Sequence, residues 1–150
     1  MNVGTICQHN VVTIGASEDL AAAAGLMREK HVGYLVVVEA VPPAAPKVVG
    51  VLTDRDIVVA VVARNVDPHS LTTNEVMTRD PLWADETDAI EETLRRMRDR
   101  GVRRVPVIGA RGQLVGVLSV DDALDSIAGQ LASIAESIRN EQRVERSTRR

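Results

Sequence analysis

Apolar positions along this chain alternate between two periods. Leu20, Ala23, Ala24 and Met27 recur at the spacing of a helix. Ser17 suits the cap before it, and Glu18 and Asp19 suit its first turn. Residues 33–38 follow as an unbroken apolar, β-branched run, the pattern of a strand covered on both faces. A short strand at 10–14 precedes this unit. A loop with three prolines over 39–46, a strand at 47–52 and a helix at 54–63 complete it. The order then returns: a strand at 81–84, a helix at 88–100, strands at 104–108 and 114–118, and a helix from 121. The turn Gly109-Ala110-Arg111-Gly112 is tight, and residues 65–73, with Pro68, join the halves.

The halves also echo each other residue by residue. Met27-Arg28-Glu29-Lys30-His31-Val32-Gly33-Tyr34-Leu35-Val36-Val37-Val38 lies 70 positions before Met97-Arg98-Asp99-Arg100-Gly101-Val102-Arg103-Arg104-Val105-Pro106-Val107-Ile108. Val49-Gly50-Val51-Leu52-Thr53-Asp54-Arg55-Asp56 lies 66 before Val115-Gly116-Val117-Leu118-Ser119-Val120-Asp121-Asp122, the shorter second hairpin loop accounting for the change. Ile6, Ser17 and Leu20 fall on Val76, Thr87 and Ile90. Such a repeat is too long for a solenoid unit and has the scale of a small folded unit. The expected fold class is therefore α/β (α+β): two βαββα repeats, residues 1–66 and 71–128, forming a pseudo-symmetric body, with a helical extension and charged tail over 129–150.

In that extension Leu124, Ile127, Leu131, Ile134 and Ile138 are spaced 3, 4, 3, 4, a heptad seam too short to be stable alone. It has two readings, packing on its own domain or contact with a second subunit. From Arg139 onward the charged sequence is expected to fray.

Composition narrows the function. With 150 residues, 45% of them hydrophobic, the chain can bury a real core. A net charge of −3 supplies no basic field for nucleic acid, and one Trp, one Tyr and no Phe supply almost no base-stacking surface. The only cysteine, Cys7, excludes an internal disulfide and a zinc-binding cysteine cluster, and reads as a small buried thiol. His9, His31 and His69 are scattered without metal-site spacing. The start lacks the pattern of a signal peptide, and no apolar run approaches the ~20 residues of a membrane helix. A cytoplasmic protein with neither nucleic-acid nor membrane partners is expected. No nucleophile–base pair, Walker loop or dinucleotide glycine fingerprint occurs, so neither catalytic residues nor a catalytic cofactor or metal is expected.

Two segments carry candidate chemistry: Gly50-Val51-Leu52-Thr53-Asp54-Arg55-Asp56 and Gly116-Val117-Leu118-Ser119-Val120-Asp121-Asp122. Each runs glycine, two apolar residues, a hydroxyl, two spacers and an aspartate, where a strand gives way to a helix. One reading is a capping box, with hydroxyl and carboxylate serving the helix start. The other is a ribonucleotide site. Free N–H groups and the hydroxyl suit a phosphate, and the carboxylate suits a vicinal diol, each charge-assisted bond contributing about 1.5–3 kcal/mol. The two readings are compatible.

With their tandem arrangement, and with the Val-x-x-Leu-Val-Val-Val and Val-Arg-Arg-Val-Pro-Val-Ile strands before them, these segments resemble a pair of cystathionine-β-synthase (CBS) domains, from about Ile6 to about Ala128. The resemblance implies two units packed through their sheets into a disc, a regulatory role, frequent homodimers, and clefts for AMP, ADP, ATP, NAD or S-adenosylmethionine. Carried over by position, Asp56 and Asp122 are the ribose-binding carboxylates, with Thr53 and Ser119 beside ribose or phosphate. It also implies that Val12 and Val32-Gly33 flank an adenine held by Ser119 and Asp122, while Leu82 and Val102-Arg103 flank one held by Thr53 and Asp56. Arg103 and Arg104 stand where the first repeat has Gly33 and Tyr34. They read either as phosphate ligands or as part of a solvated charged face balanced by Glu91, Glu92 and Asp99. Arg95, Arg96 and Arg98 read as surface, Trp83 as packing, and His31 as incidental or phosphate-contacting. The expected protein is an adenine-nucleotide sensor, of use in energy sensing, that signals to a regulated protein partner. The alternatives are a ligand-free dimerisation module built on the heptad seam, an enzyme, and nucleic-acid binding by the segment 139–150.

Overall fold

In the computed structural model, which describes residues 1–40, 42 and 44–149, each repeat lays a helix against a small sheet. Val41 and Pro43 of the expected proline-rich loop, and Arg150 of the expected tail, lie outside the described residues. The first sheet has the order β1-β2-β3-β4, from Thr13–Gly15 (β1), Tyr34–Glu39 (β2), Lys47–Thr53 (β3) and Thr78–Arg79 (β4). The second has the order β5-β6-β7, from Ala84–Asp85 (β5), Arg104–Ile108 (β6) and Leu114–Ser119 (β7). In each, the first strand runs parallel to the second, and the second and third form an antiparallel hairpin. The helices are Val3–Ile6 (α1), Leu20–Lys30 (α2), Asp54–Ile57 (α3), Thr73–Val76 (α4), Ile90–Arg100 (α5) and Val120–Thr148 (α6).

The apolar run 33–38 behaves as its pattern requires. Leu35 and Val37 point into one core, and Val36, on the opposite face, is equally buried. Several boundaries differ from expectation. The strand expected at 81–84 pairs only from Ala84. The strand expected at 10–14 pairs from Thr13, although the Val12 carbonyl already accepts from Val36 at 3.2 Å. Helix α2 is capped by Asp19, which accepts from the Ala22 N–H at 2.7 Å, and not by Ser17. Asp88 stays outside α5 and instead accepts from the Asp85 N–H at 3.0 Å. Helix α3 continues through Val58–Val62 as a π turn, a wider winding that coincides with β-branched side chains crowding an ordinary helix.

The two short helices α1 and α4, 70 positions apart, show how the repeats interlock. Val3 and Cys7 are buried with Ala84, Ile90, Met97, Val105, Val107 and Leu118, all from the second repeat. Met77, just after α4, is buried with Ile14, Leu20, Met27, Leu35, Val37 and Leu52 of the first. The backbone follows: Gln8 exchanges 2.9 Å hydrogen bonds with Val117 of β7, as β4 pairs with β3. This crossing explains the motif glycines. A Cβ at Gly116 would lie 2.5 Å from the Gln8 carbonyl oxygen, and one at Gly50 would lie 2.8 Å from that of Thr78.

The C-terminal expectations are corrected. Helix α6 spans 29 residues and continues to Thr148 instead of fraying at Arg139. Beyond Gly129 the segment has no helix breaker, and Arg149 pairs with Glu145 one turn before it. Nor does its seam pack on its own domain: Leu124, Ile127, Leu131, Ile134 and Ile138 are 41–63% exposed.

Candidate functional site

The strand-to-helix segments 50–56 and 116–122 form capping boxes. Thr53 Oγ1 accepts from the Asp56 N–H at 3.2 Å, and Asp56 Oδ2 accepts from the Thr53 N–H at 2.9 Å. Ser119 Oγ accepts from the Asp122 N–H at 3.0 Å, and Asp122 Oδ2 accepts from the Ser119 N–H at 3.3 Å. One oxygen of each carboxylate therefore holds the helix start, and the other is turned away from that task. Among the described residues Asp56 Oδ1 accepts no hydrogen bond, whereas Asp122 Oδ1 accepts from Gln8 Nε2 at 3.1 Å.

Each pair faces a cavity whose opposite wall comes from the other repeat. The first cavity, about 350 Å³, brings Ser119 and Asp122 together with Val12, Val32 and Gly33. Gln8, Asn10, Val11, His31, Tyr34, Arg104 and Val117 complete its lining. The second, about 680 Å³, brings Thr53 and Asp56 together with Leu82, Val102, Arg103 and Arg104. Arg79, Asp80, Pro81 and Arg100 join them. Every candidate residue thus lines at least one of two cavities, each with aliphatic side chains on one wall and a hydroxyl and a carboxylate on the other.

The cavities share Gly33, Tyr34 and Arg104. Tyr34 and Arg104 occupy equivalent places in the two repeats, and the guanidinium lies 5.8 Å from the centre of the Tyr34 ring, a cation–π contact across the pseudo-two-fold axis. Tyr34 Oη is buried with no hydrogen-bond partner among the described residues, and that burial pushes its pKa well above the usual value. Arg103 is exposed and 3.4 Å from Asp121 Oδ1. Arg104 is also exposed, and it lies where both cavities open.

Other expectations resolve individually. Arg96 is not a free surface cation: its Nη2 donates to Asp88 Oδ2 at 2.6 Å and its Nη1 to the Trp83 carbonyl at 3.4 Å. Arg95 pairs with Glu92, and Arg98 with Asp99, on the exposed face. Trp83 is half-exposed. Cys7 is buried, and desolvation raises its thiol pKa. Its Sγ lies 4.0 Å from His9 Nδ1, but no cluster of three or more His, Cys, Asp or Glu side chains suited to a metal occurs among the described residues. No helix is long and apolar enough to cross a membrane among the described residues. Sequence reasoning missed Gln8 and Tyr34. The signal was available for Gln8, which stands 70 positions before Thr78, a residue lining the second cavity.

The CBS domain model matches residues 3–63 and 74–129, and the chain belongs to the CBS domain family. It is 36% identical over 122 residues to hypoxic response protein 1 of Mycobacterium tuberculosis, covering 81% of this chain and 78% of the relative. A crystal structure of Hypoxic Response Protein I with two coordinated zinc ions superposes with a TM-score of 0.71 at 34% identity, covering 83% of this chain and 98% of that one. A CBS domain protein from Pyrobaculum aerophilum complexed with AMP gives a TM-score of 0.71 at 26% identity, covering 81% and 89%.

Proposed function

We propose that this protein is a regulatory module that binds an adenosine compound, such as AMP, ADP, ATP, NAD or S-adenosylmethionine, between its repeats. It passes the resulting change of shape to a protein partner. One observation carries this reading: each hydroxyl–carboxylate pair faces, across a cavity, the aliphatic side chains of the opposite repeat. Adenine then lies against Val12 and Val32-Gly33 in one cleft and against Leu82 and Val102 in the other. Asp122 or Asp56 accepts from the ribose diol, Ser119 or Thr53 meets the phosphate at a helix start, and Arg103 and Arg104 supply cations. The AMP held by the Pyrobaculum relative supports the ligand class. The output is limited to the difference in ligand affinity between two arrangements of the repeats. No group is assigned a catalytic step. The single buried, unpaired thiol fits a reducing compartment such as the cytoplasm. Calorimetric titration with AMP, ATP, NAD and S-adenosylmethionine tests the reading: at least one binds, and the absence of binding by all four refutes it.

A second reading, self-association through α6, is favoured by the exposed seam. A helix of about 43 Å with an uncovered apolar stripe needs a partner to be stable in water. A second copy set antiparallel fits best, because the helix start carries Asp121, Asp122 and Asp125, while at its end Arg139, Arg143, Arg146 and Arg149 outnumber Glu141 and Glu145. Residues flanking the seam, Ala128, Gln130, Ala135 and Ser137, bring no charge against such a pairing. The expected homodimer becomes a monomer by light scattering when Leu131 and Ile134 are changed to Ser. A wild-type mass of one chain refutes this reading.

A further inference from the structure

We propose that the two clefts are unequal and that Gln8 makes them so, its side-chain amide taking on Asp122 the place that a ligand's sugar diol takes on Asp56. The inference rests on the adenosine-binding reading and says which cleft binds tightly.

Gln8 is pinned by its paired 2.9 Å backbone bonds to Val117, and its Nε2 reaches Asp122 Oδ1 at 3.1 Å. With Oδ2 engaged in the capping box, both oxygens of Asp122 are bound by the protein itself. At the equivalent place in the other repeat, Thr78 pairs with Val51. Its side chain is shorter and makes no hydrogen bond to Asp56 among the described residues, which leaves Asp56 Oδ1 open. Volume agrees with this difference: the cleft containing Gln8 is about 350 Å³, and the one containing Thr78 about 680 Å³. A diol entering the first cleft must share Asp122 Oδ1 with the Gln8 amide or displace it, so it meets an acceptor already partly satisfied. In the second it displaces only solvent. The first cleft is therefore weaker by about tenfold, the low end of what one hydrogen bond to a charged group is worth, because Asp122 Oδ1 keeps a second acceptor site.

The test exploits the repeat. Calorimetric titration of wild type with AMP gives a tight site and a second about tenfold weaker. Gln8→Thr, which imports the residue of the other repeat, strengthens the weak site. Thr78→Gln weakens the tight one. Gln8→Ala is a second route to the open cleft, with a thermal melt to establish that each variant folds. Two equal sites in wild type, or a weak site unmoved in folded Gln8→Thr and Gln8→Ala, each overturn the inference while leaving adenosine binding intact. Absence of binding by AMP and the other three compounds overturns the reading beneath it.

Discussion

Asp56 serves a helix start with one oxygen and faces a cleft with the other, and two substitutions separate these duties. In Asp56→Asn the side-chain carbonyl can keep the bond that Oδ2 now accepts from the Thr53 N–H at 2.9 Å. The amide NH2 then replaces the open Oδ1, and a charged acceptor becomes a neutral donor. A diol loses one charge-assisted hydrogen bond, about 1.5–3 kcal/mol, which is a loss of about ten- to a hundredfold in affinity. Asp56→Ala loses the same contact and also the capping interaction, a further cost of about 1 kcal/mol in fold stability. The expected pattern is weakened AMP binding in both variants, with a lowered melting temperature in the alanine variant alone. Calorimetry and thermal denaturation read the two effects independently. If Asp56→Asn binds AMP as tightly as wild type, the carboxylate is a cap and nothing more, and Asp56 holds no ligand.

Arg104→Ala should weaken binding of AMP and ATP more than that of adenosine, since only the phosphates engage the guanidinium; equal losses would mark Arg104 as a packing residue. Tyr34 keeps its proton more tightly when folded than unfolded, so its contribution to stability is fully present below about pH 10 and is lost as pH climbs toward the raised value. Tyr34→Phe should remove that fall in alkaline denaturation profiles and, by deleting a buried hydroxyl without a partner, stabilise the fold by about 1 kcal/mol. Parallel profiles for the two proteins would contradict this. His31 ends α2 with φ 56°, in the left-handed region, where the second repeat has Gly101 at φ 66°. His31→Gly should therefore stabilise by about 1 kcal/mol, and an unchanged melting temperature would argue against strain there.

The repeat made much of this molecule legible. Strand 104–108 and the hairpins announced themselves because short apolar, β-branched runs bounded by turn residues are the pattern of buried strands. The Thr53–Asp56 and Ser119–Asp122 pairs were visible as local motifs, since a cap depends only on neighbours three residues apart. The short segments around α1 and α4 were not recognised as elements. Four residues carry no period, and their stability comes from the other repeat's core, where Val3 and Met77 are buried. The tail misled for a related reason: its charge suggested solvation, yet Glu, Gln and Arg are good helix formers without a breaker among them.

What the sequence determined by itself was local and repeated: which residues cap, which alternate, and which two halves share a plan. Such properties depend on backbone preferences and on spacing along the chain. Only the tertiary structure decided what crosses from one half to the other. It set Gln8 against Asp122, placed Arg104 over Tyr34 between two cavities, and left the α6 seam bare. These contacts join residues far apart in sequence, and they are settled by how the leading segments interleave with the opposite sheet, an arrangement no short-range pattern encodes.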